Sequence, residues 1–446
     1  MDRTTRRAFR TDLVRGVAPV AILAITGAGI ATLFNDSERW AGRWGPLMEY
    51  ARVIMIVLVP LAVAAAAWQA GRDRRRRTDE LLGTTPRPSW QHVALGWAGV
   101  TLAAVLGLVL AWLAGVALVA PIATYSGRGW WWGLAVGALA LAAASALGTA
   151  VGRLVPGRLV APLAGIGAYV LLGIGTYSDR LTWLTPSFSG ATDGTRYLPG
   201  WVHVSQALWL AGLAAALVLL AAARHRWLAA IPALVAVTAA VPLVATDDEG
   251  RWRVDHTAMA PVCTDEGGLE VCLARVNAFL LDAAEEPVRE QLARWDGVDG
   301  GFVRAVDRVS IDDAALAPER TAVLEVAHLM SWNGEWSEES EHGERIETVF
   351  AQAAADLVYR NCRPYAGDVT AEPAHTSMIW AAEAAHYWTI GETTPLGVVV
   401  EDGETAPFQV LLSRPEAEQK DWLGRYLAAA HTCEPAAFDA LMEELR

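Results

Sequence analysis

Lysine is almost missing from this chain: of its 36 basic residues, only Lys420 is not arginine. A phosphate-binding loop of the form G-x-x-x-x-G-K-S/T needs a lysine beside its glycines. No such loop occurs, so the chain carries no nucleotide site of that kind. The zinc patterns H-E-x-x-H and H-x-x-E-H are missing too, as is the nucleophile turn G-x-S-x-G. Cysteine is absent from the first 262 positions, and the four present, Cys263, Cys272, Cys362 and Cys433, all lie beyond the apolar part of the chain. Long stretches of the first half lack charge altogether, which excludes an ordinary soluble fold for that half.

The chain has 446 residues, a length for two or three domains. Composition divides it at Thr246. Up to there, 21 Arg stand against 10 Asp or Glu, a net of +11; beyond, 15 basic residues face 39 acidic ones, a net of −24, and the two make up the overall −13. Neither half resembles the average.

Crossing a membrane as a helix takes about 20 mostly apolar residues. Seven stretches qualify: 14–34, 53–70, 93–120, 133–155, 159–177, 206–223 and 227–245. Pro60, Pro162 and Pro242 inside them are tolerated in membrane spans, where neighbouring helices satisfy freed backbone groups. The basic N-terminus resembles a signal-peptide lead, but the apolar run after it is too long and no small-x-small cleavage site follows. An uncleaved first span with an interfacial basic lead-in is therefore expected.

Arginine sets the orientation. With the N-terminus inside, the inner connections hold 15 Arg and the outer ones hold 6, namely Arg39, Arg43, Arg52, Arg128, Arg180 and Arg196. Trp130, Trp131 and Trp132 then fall at the outer interface as an aromatic belt. Seven spans place residues 247–446 outside. An even number of cysteines confined to that part fits disulfides in an extracytoplasmic domain. Four cysteines allow three pairings; Cys263 with Cys272, and Cys362 with Cys433, are favoured, the first as a local clamp and the second as a tie between distant helical segments. The spans hold almost no charge of their own, so no polar pathway is marked.

The segment 72–92, RDRRRRTDELLGTTPRPSWQH, joins the second and third spans. It opens with five arginines in six positions and continues as T-D-E-L-L and T-T-P. This pattern, in this place, resembles the first cytoplasmic loop of the permeases of ABC type 2 exporters. Arg74, Arg75, Arg76 and Arg77 correspond to the charged run, Thr78, Glu80, Leu81 and Leu82 to the short helix, and Thr85 and Pro86 to the turn before the third span. Arg77 stands where that family usually has Gly, and Asp79 where an apolar residue is frequent. The resemblance covers residues 1–225. It implies a six-helix exporter-permease bundle whose loop docks on a separate ABC ATPase subunit. It implies a second permease copy or paralogue to complete the pathway. A short helix with Leu81 and Leu82 on one side suits an apolar groove, and the charges help register. Without a partner, the same arginines serve simply as an inside anchor.

The expected architecture is thus an α-helical polytopic membrane domain of six spans (1–225), a seventh transmembrane helix (226–246) and a helix-rich α+β domain (247–446). In the last part, 262–274 and 301–309 read as strands. Helical periodicity marks 276–294, 346–360, 373–390, 416–431 and 435–445. The stretch 321–330 is ambiguous and 397–412 leans to strand. Two Glu-x-x-His pairs, Glu325–His328 and Glu383–His386, are spaced as helical metal ligands are; coincidence in a Glu- and Ala-rich region is the favoured explanation, and His375 with Glu383 and His386 has no standard zinc spacing. The expected function is a permease subunit in a bacterial plasma membrane, with no enzymatic activity, no metal and no cofactor of its own, ATP being bound by the partner. Its partners would be that ATPase, a second permease, the lipid bilayer and an unidentified exported substrate, with no nucleic acid. The alternative is a membrane-anchored extracytoplasmic sensor or immunity protein. A tethered metalloenzyme is a third reading.

Overall fold

A computed structural model describes residue 14 and residues 16–75, 89–155, 157–187, 193–223, 225–311, 316–339, 343–362, 373–391 and 406–446. The chain forms two compact units, Met1–Asp255 and His256–Arg446. The boundary lies nine residues beyond the composition change. Arg253–Val254 (β2) pairs antiparallel with Arg196–Tyr197 (β1), and Asp255 accepts a hydrogen bond from the Tyr125 hydroxyl at 2.7 Å, so this stretch belongs to the first unit.

The first unit is a helix bundle: α1 (Ala18–Leu33), α2 (Trp44–Val53), α3 (Met55–Ala70), α4 (Ser89–Val119), α5 (Trp131–Leu154), α6 (Val160–Thr176), α7 (Gly200–Ala222) and α8 (Ala230–Ala245). Five helical stretches are long and apolar enough to cross a membrane, and α2 with α3, bent by 44°, makes a sixth. The remaining expected span, α6, is apolar but has 17 residues, about 26 Å of helix. That is a little short of the ~30 Å hydrocarbon thickness. The bend falls at Ile54, just before the turn that Pro60 disrupts.

Lipid-like surroundings are what the outer faces demand. Leu163, Ile166, Val170, Leu171 and Ile174 of α6 are 50–67% exposed, and Ile231, Leu234, Val237 and Val241 of α8 are 58–68% exposed. Stripes of this length in water would be penalised at about 25 cal/mol per Å². Between helices in lipid, by contrast, association depends on close packing rather than on expulsion of water. The bundle supplies it with small residues. α3 packs along α5 and α6, α7 lies against α5 and α8, and α1 against α4. At Gly148 a Cβ would stand 2.2 Å from the Val63 carbonyl oxygen, and at Gly152 2.3 Å from that of Ala67. The α5 backbone therefore touches the α3 backbone directly. Gly212 plays the same part between α7 and α8, where a Cβ would lie 2.7 Å from the Pro232 oxygen.

The second unit holds a four-stranded sheet, β3 (Pro261–Glu266), β4 (Leu269–Ala274), β5 (Arg304–Asp307) and β6 (Thr321–Leu324), in that spatial order. β3 and β4 are antiparallel; β4, β5 and β6 are parallel. The stretch 262–274, expected as one strand, is a hairpin. Gly267 and Gly268 both take positive φ, 66° and 83°, the conformation a two-residue turn needs and glycine allows. The parallel step from β4 to β5 requires a crossover, which α9 (Leu281–Ala293) provides. Asp307 secures its start: the buried carboxylate accepts from the Ala274 amide at 3.2 Å and from Asn277 Nδ2 at 2.8 Å.

The remaining helices are α10 (Ile346–Asn361), α11 (Pro373–Ile390), α12 (Pro407–Ser413), α13 (Glu416–Thr432) and α14 (Pro435–Glu443). α12 corrects the strand leaning of 397–412 in its described part: Pro407 opens a helical turn that buries Phe408 and Leu411. The ambiguous 321–330 is β6 followed by a 3₁₀ turn. The sulfurs of Cys263 and Cys272, opposite each other on β3 and β4, are 2.07 Å apart, as are those of Cys362 and Cys433. The second pair ties the end of α10 to the end of α13. These are the favoured pairings.

Substituting Gly148→Val should force α3 and α5 apart and cost about 1–3 kcal/mol. Gly167→Val on exposed α6, where nothing lies within 4 Å of the new Cβ, should be tolerated. Thermal unfolding of both variants in mild detergent compares them; equal midpoints would contradict the close contact.

Candidate functional site

The segment expected to meet a partner begins where α3 ends. Arg72–Arg75 forms one helical turn directly after Gly71. The Arg75 guanidinium donates to the Trp68 carbonyl at 2.7 Å and lies 4.5 Å over the Trp68 ring, which holds the turn on the last turn of α3. Arg76, Arg77, Thr78, Glu80, Leu81, Leu82, Thr85 and Pro86, and the side chain of Arg74, lie outside the described residues.

A second feature lies at the other end of α2–α3 and was missed in the sequence. Arg52, expected in an outer connection, is in the last turn of α2 and only 6% exposed. Its Nη2 stands 3.0 Å from His203 Nδ1, and its Nη1 donates to Gln206 Oε1 at 3.4 Å. His203 and Gln206 are 6% and 1% exposed on α7, which begins at Gly200 and not at 206. Gln206 in turn donates to the Trp183 carbonyl at 3.3 Å. Glu49 lies one turn before Arg52 on the same face of α2, and its Oε2 is buried with no hydrogen-bond partner among the described residues. The bundle therefore does enclose charge. The legible signals were an i, i+3 Glu–Arg pair abutting an apolar run, and Val202, Gln206 and Leu210 at helical spacing ahead of position 206.

Aromatic rings close over this cluster. Trp132 stacks on His203 with centroids 5.4 Å apart. Trp130 stacks on Trp112 at 5.7 Å and meets Trp44 at 5.3 Å. Of the three tryptophans expected as an outer belt, only Trp131 is exposed, at 51%; the other two pack inward. The segment before α7 is fixed likewise: Trp183 is buried in a 3₁₀ turn, Leu181–Leu184, and Trp209 Nε1 donates to the Leu184 carbonyl at 3.0 Å. Buried ionisable groups in an apolar bundle are costly and usually mark function.

In the second unit the two Glu-x-x-His pairs lie on separate elements. Glu325 and His328 sit at a 3₁₀ turn, where both ring nitrogens of the half-exposed His328 face carboxylates, Glu325 at 3.4 Å and Glu344 at 3.1 Å. Glu383 and His386 are on α11. Among the described residues no three-ligand grouping joins the two pairs; the one grouping is Cys263, Glu270 and Cys272, and its sulfurs are bonded to each other. His375 has a side chain outside the described residues. Burial lowers the proton affinity of His386, against the opposing pull of the Ala351 backbone and Asp356, and burial raises that of Glu383.

The class these observations define is a protein of several membrane-crossing-type helices joined to a disulfide-tied α/β unit. No protein-family model, curated protein or solved structure matches the chain.

Two outcomes are expected. Arg52→Met should cost about 3–5 kcal/mol, because it leaves buried acceptors unpaired, whereas Glu49→Gln should cost less than about 1 kcal/mol, its Oε2 having no bond to lose. Denaturation in detergent ranks them, and the reverse order would sink this account. For His386, the folded state holds its proton less tightly than the unfolded chain does. Its contribution is thus present above about pH 6.5 and lost as pH falls through the folded value. His386→Gln should flatten the acid-side fall in the thermal midpoint of the second unit, with little change at pH 8.

Proposed function

We propose that the chain is the permease subunit of an ATP-driven exporter, working with a separate ATPase and a second permease. The observation that supports the reading is the continuity of α3 with the Arg72–Arg75 turn. Arg75 clamps that turn to Trp68, so force applied to the basic segment reaches α3 without slack. α3 is in backbone contact with α5 through Gly148 and Gly152, and a shift of α3 is felt across the bundle. The Thr78–Pro86 pattern, resembling the coupling loop of ABC type 2 permeases, follows immediately. ATP binding by the partner would displace this end and switch access to a path between the helices.

Orientation follows from charge and redox chemistry. The arginine excess favours a cytoplasmic N-terminus and a cytoplasmic 72–92 segment in a bacterial plasma membrane. The disulfides favour an oxidising, extracytoplasmic place for the second unit. The cargo is not specified; the cluster around Arg52 offers a polar point inside an otherwise apolar bundle.

Purification in mild detergent from the native membrane should bring down an ATPase subunit. Replacing Arg74, Arg75, Arg76 and Arg77 by Glu, or Leu81 and Leu82 by Ala, should reduce the recovered ATPase at least about tenfold while the permease remains folded. If no ATPase accompanies the unaltered chain, the exporter reading fails and an anchored sensor takes its place.

A further inference from the structure

The contact between Arg52 and His203 has a chemical requirement that identifies a proton site. Arginine stays charged and offers only N–H donors. The nitrogen 3.0 Å from its Nη2, His203 Nδ1, must therefore be the unprotonated one. The ring proton of the neutral imidazole then sits on Nε2. A proton added at Nδ1 would turn the acceptor into a donor and set two cations against each other at 3 Å. The closed contact and a protonated His203 exclude one another.

We infer that Arg52 and His203 form a proton-operated latch between α2 and α7. When His203 takes a proton at Nδ1 from water, the Arg52–His203 hydrogen bond breaks. Arg52 then turns one helical turn back to Glu49, whose Oε2 is buried without a hydrogen-bond partner among the described residues. Only the proton is transferred covalently; Arg52 exchanges its hydrogen bonds to His203 and Gln206 for one to Glu49. Gln206 keeps its bond to the Trp183 carbonyl in either state.

The surroundings suit this exchange. The groups facing His203 are Arg52 from α2 and the Trp132 ring from α5. Asp193, in the segment leading to α7, acts electrostatically on Glu49. His203 is in the first turn of α7, so a proton has a short way to travel from that end of the bundle. α2 also packs on α4 and α5, Leu47 against Gly115 and Met48 against Gly133, so its movement about the bend at Ile54 slides these contacts while α3 stays against α5 at Gly148 and Gly152. The latch belongs to the bundle alone, and it operates whether or not an ATPase engages the opposite end.

The test uses the full chain in lipid nanodiscs without any ATPase. The native cysteines are paired, so spin labels at Arg39→Cys, in the turn preceding α2, and at the exposed Val204→Cys of α7 report the separation. At pH 8 one distance is expected, with any second population below about a tenth. At pH 5 a population longer by about 2 Å or more should exceed half. ¹⁵N spectra of labelled histidine, with His203→Gln identifying the signal, should show Nδ1 protonation over the same pH range. His203→Gln should abolish the pH response, and Arg52→Gln should show the longer distance at pH 8 as well. A protonated His203 with an unchanged distance overturns the latch. So does a pH response that persists in His203→Gln, or an Arg52→Gln chain that stays closed while eluting as folded protein.

Discussion

The contact on which the first unit depends is backbone against backbone, α5 on α3 at Gly148 and Gly152. In an apolar medium no water is released when two apolar helices meet, so attraction must come from contact at short range. Removing the side chain at two positions one turn apart lets the helices approach until carbonyl oxygens limit them. α3 is then fixed along its length, and what lies at its two ends inherits that fixity. At one end is the basic turn held by Arg75 on Trp68. At the other is the bend at Ile54, beyond which α2 adds to its packing on α4 and α5 a second kind of bond, to α7.

That second bond is polar. Arg52 would be expensive to enclose alone, and the bundle meets the cost with His203 and Gln206, the latter held in turn by the carbonyl of Trp183. The helix pair therefore has apolar contacts on both sides of the bend and, above it, a polar one to α7 that a proton would open. Movement of α2 against α7 needs the polar contact to exchange partners and the Leu47 and Met48 contacts to slide. On the proposed exporter reading, the moving part and the driven part are the two halves of one span, joined at Ile54.

The second unit is stabilised by other means. A small sheet with parallel central strands buries β6 on both faces, and helices α10, α11, α13 and α14 supply aromatic side chains to a separate core. The Cys362–Cys433 bond closes a separation of 71 residues, which restrains the unfolded chain more than the nine-residue Cys263–Cys272 clamp does. Its acidic exterior and half-buried Glu383 and His386 make it sensitive to pH in a way independent of the bundle.

Sequence alone determined the division into an apolar, basic half and a soluble, acidic half, since length and hydropathy depend only on local composition. It also marked the helices of the second unit, whose apolar positions repeat every three to four residues, and the cysteine pairings that the sulfur positions match. The Gly-Gly turn was legible in retrospect, because two glycines inside a strand-like run are a turn signal. What only the tertiary structure decided was which side chains meet. Arg52 reads as a connection residue until α2 is seen to continue the second span across a bend, and His203 precedes the apolar run that marks its helix. Their partnership spans 151 positions in the chain. Periodicity along one helix cannot reveal it, because the bond arises from the meeting of two helices that each pack on a third, α5.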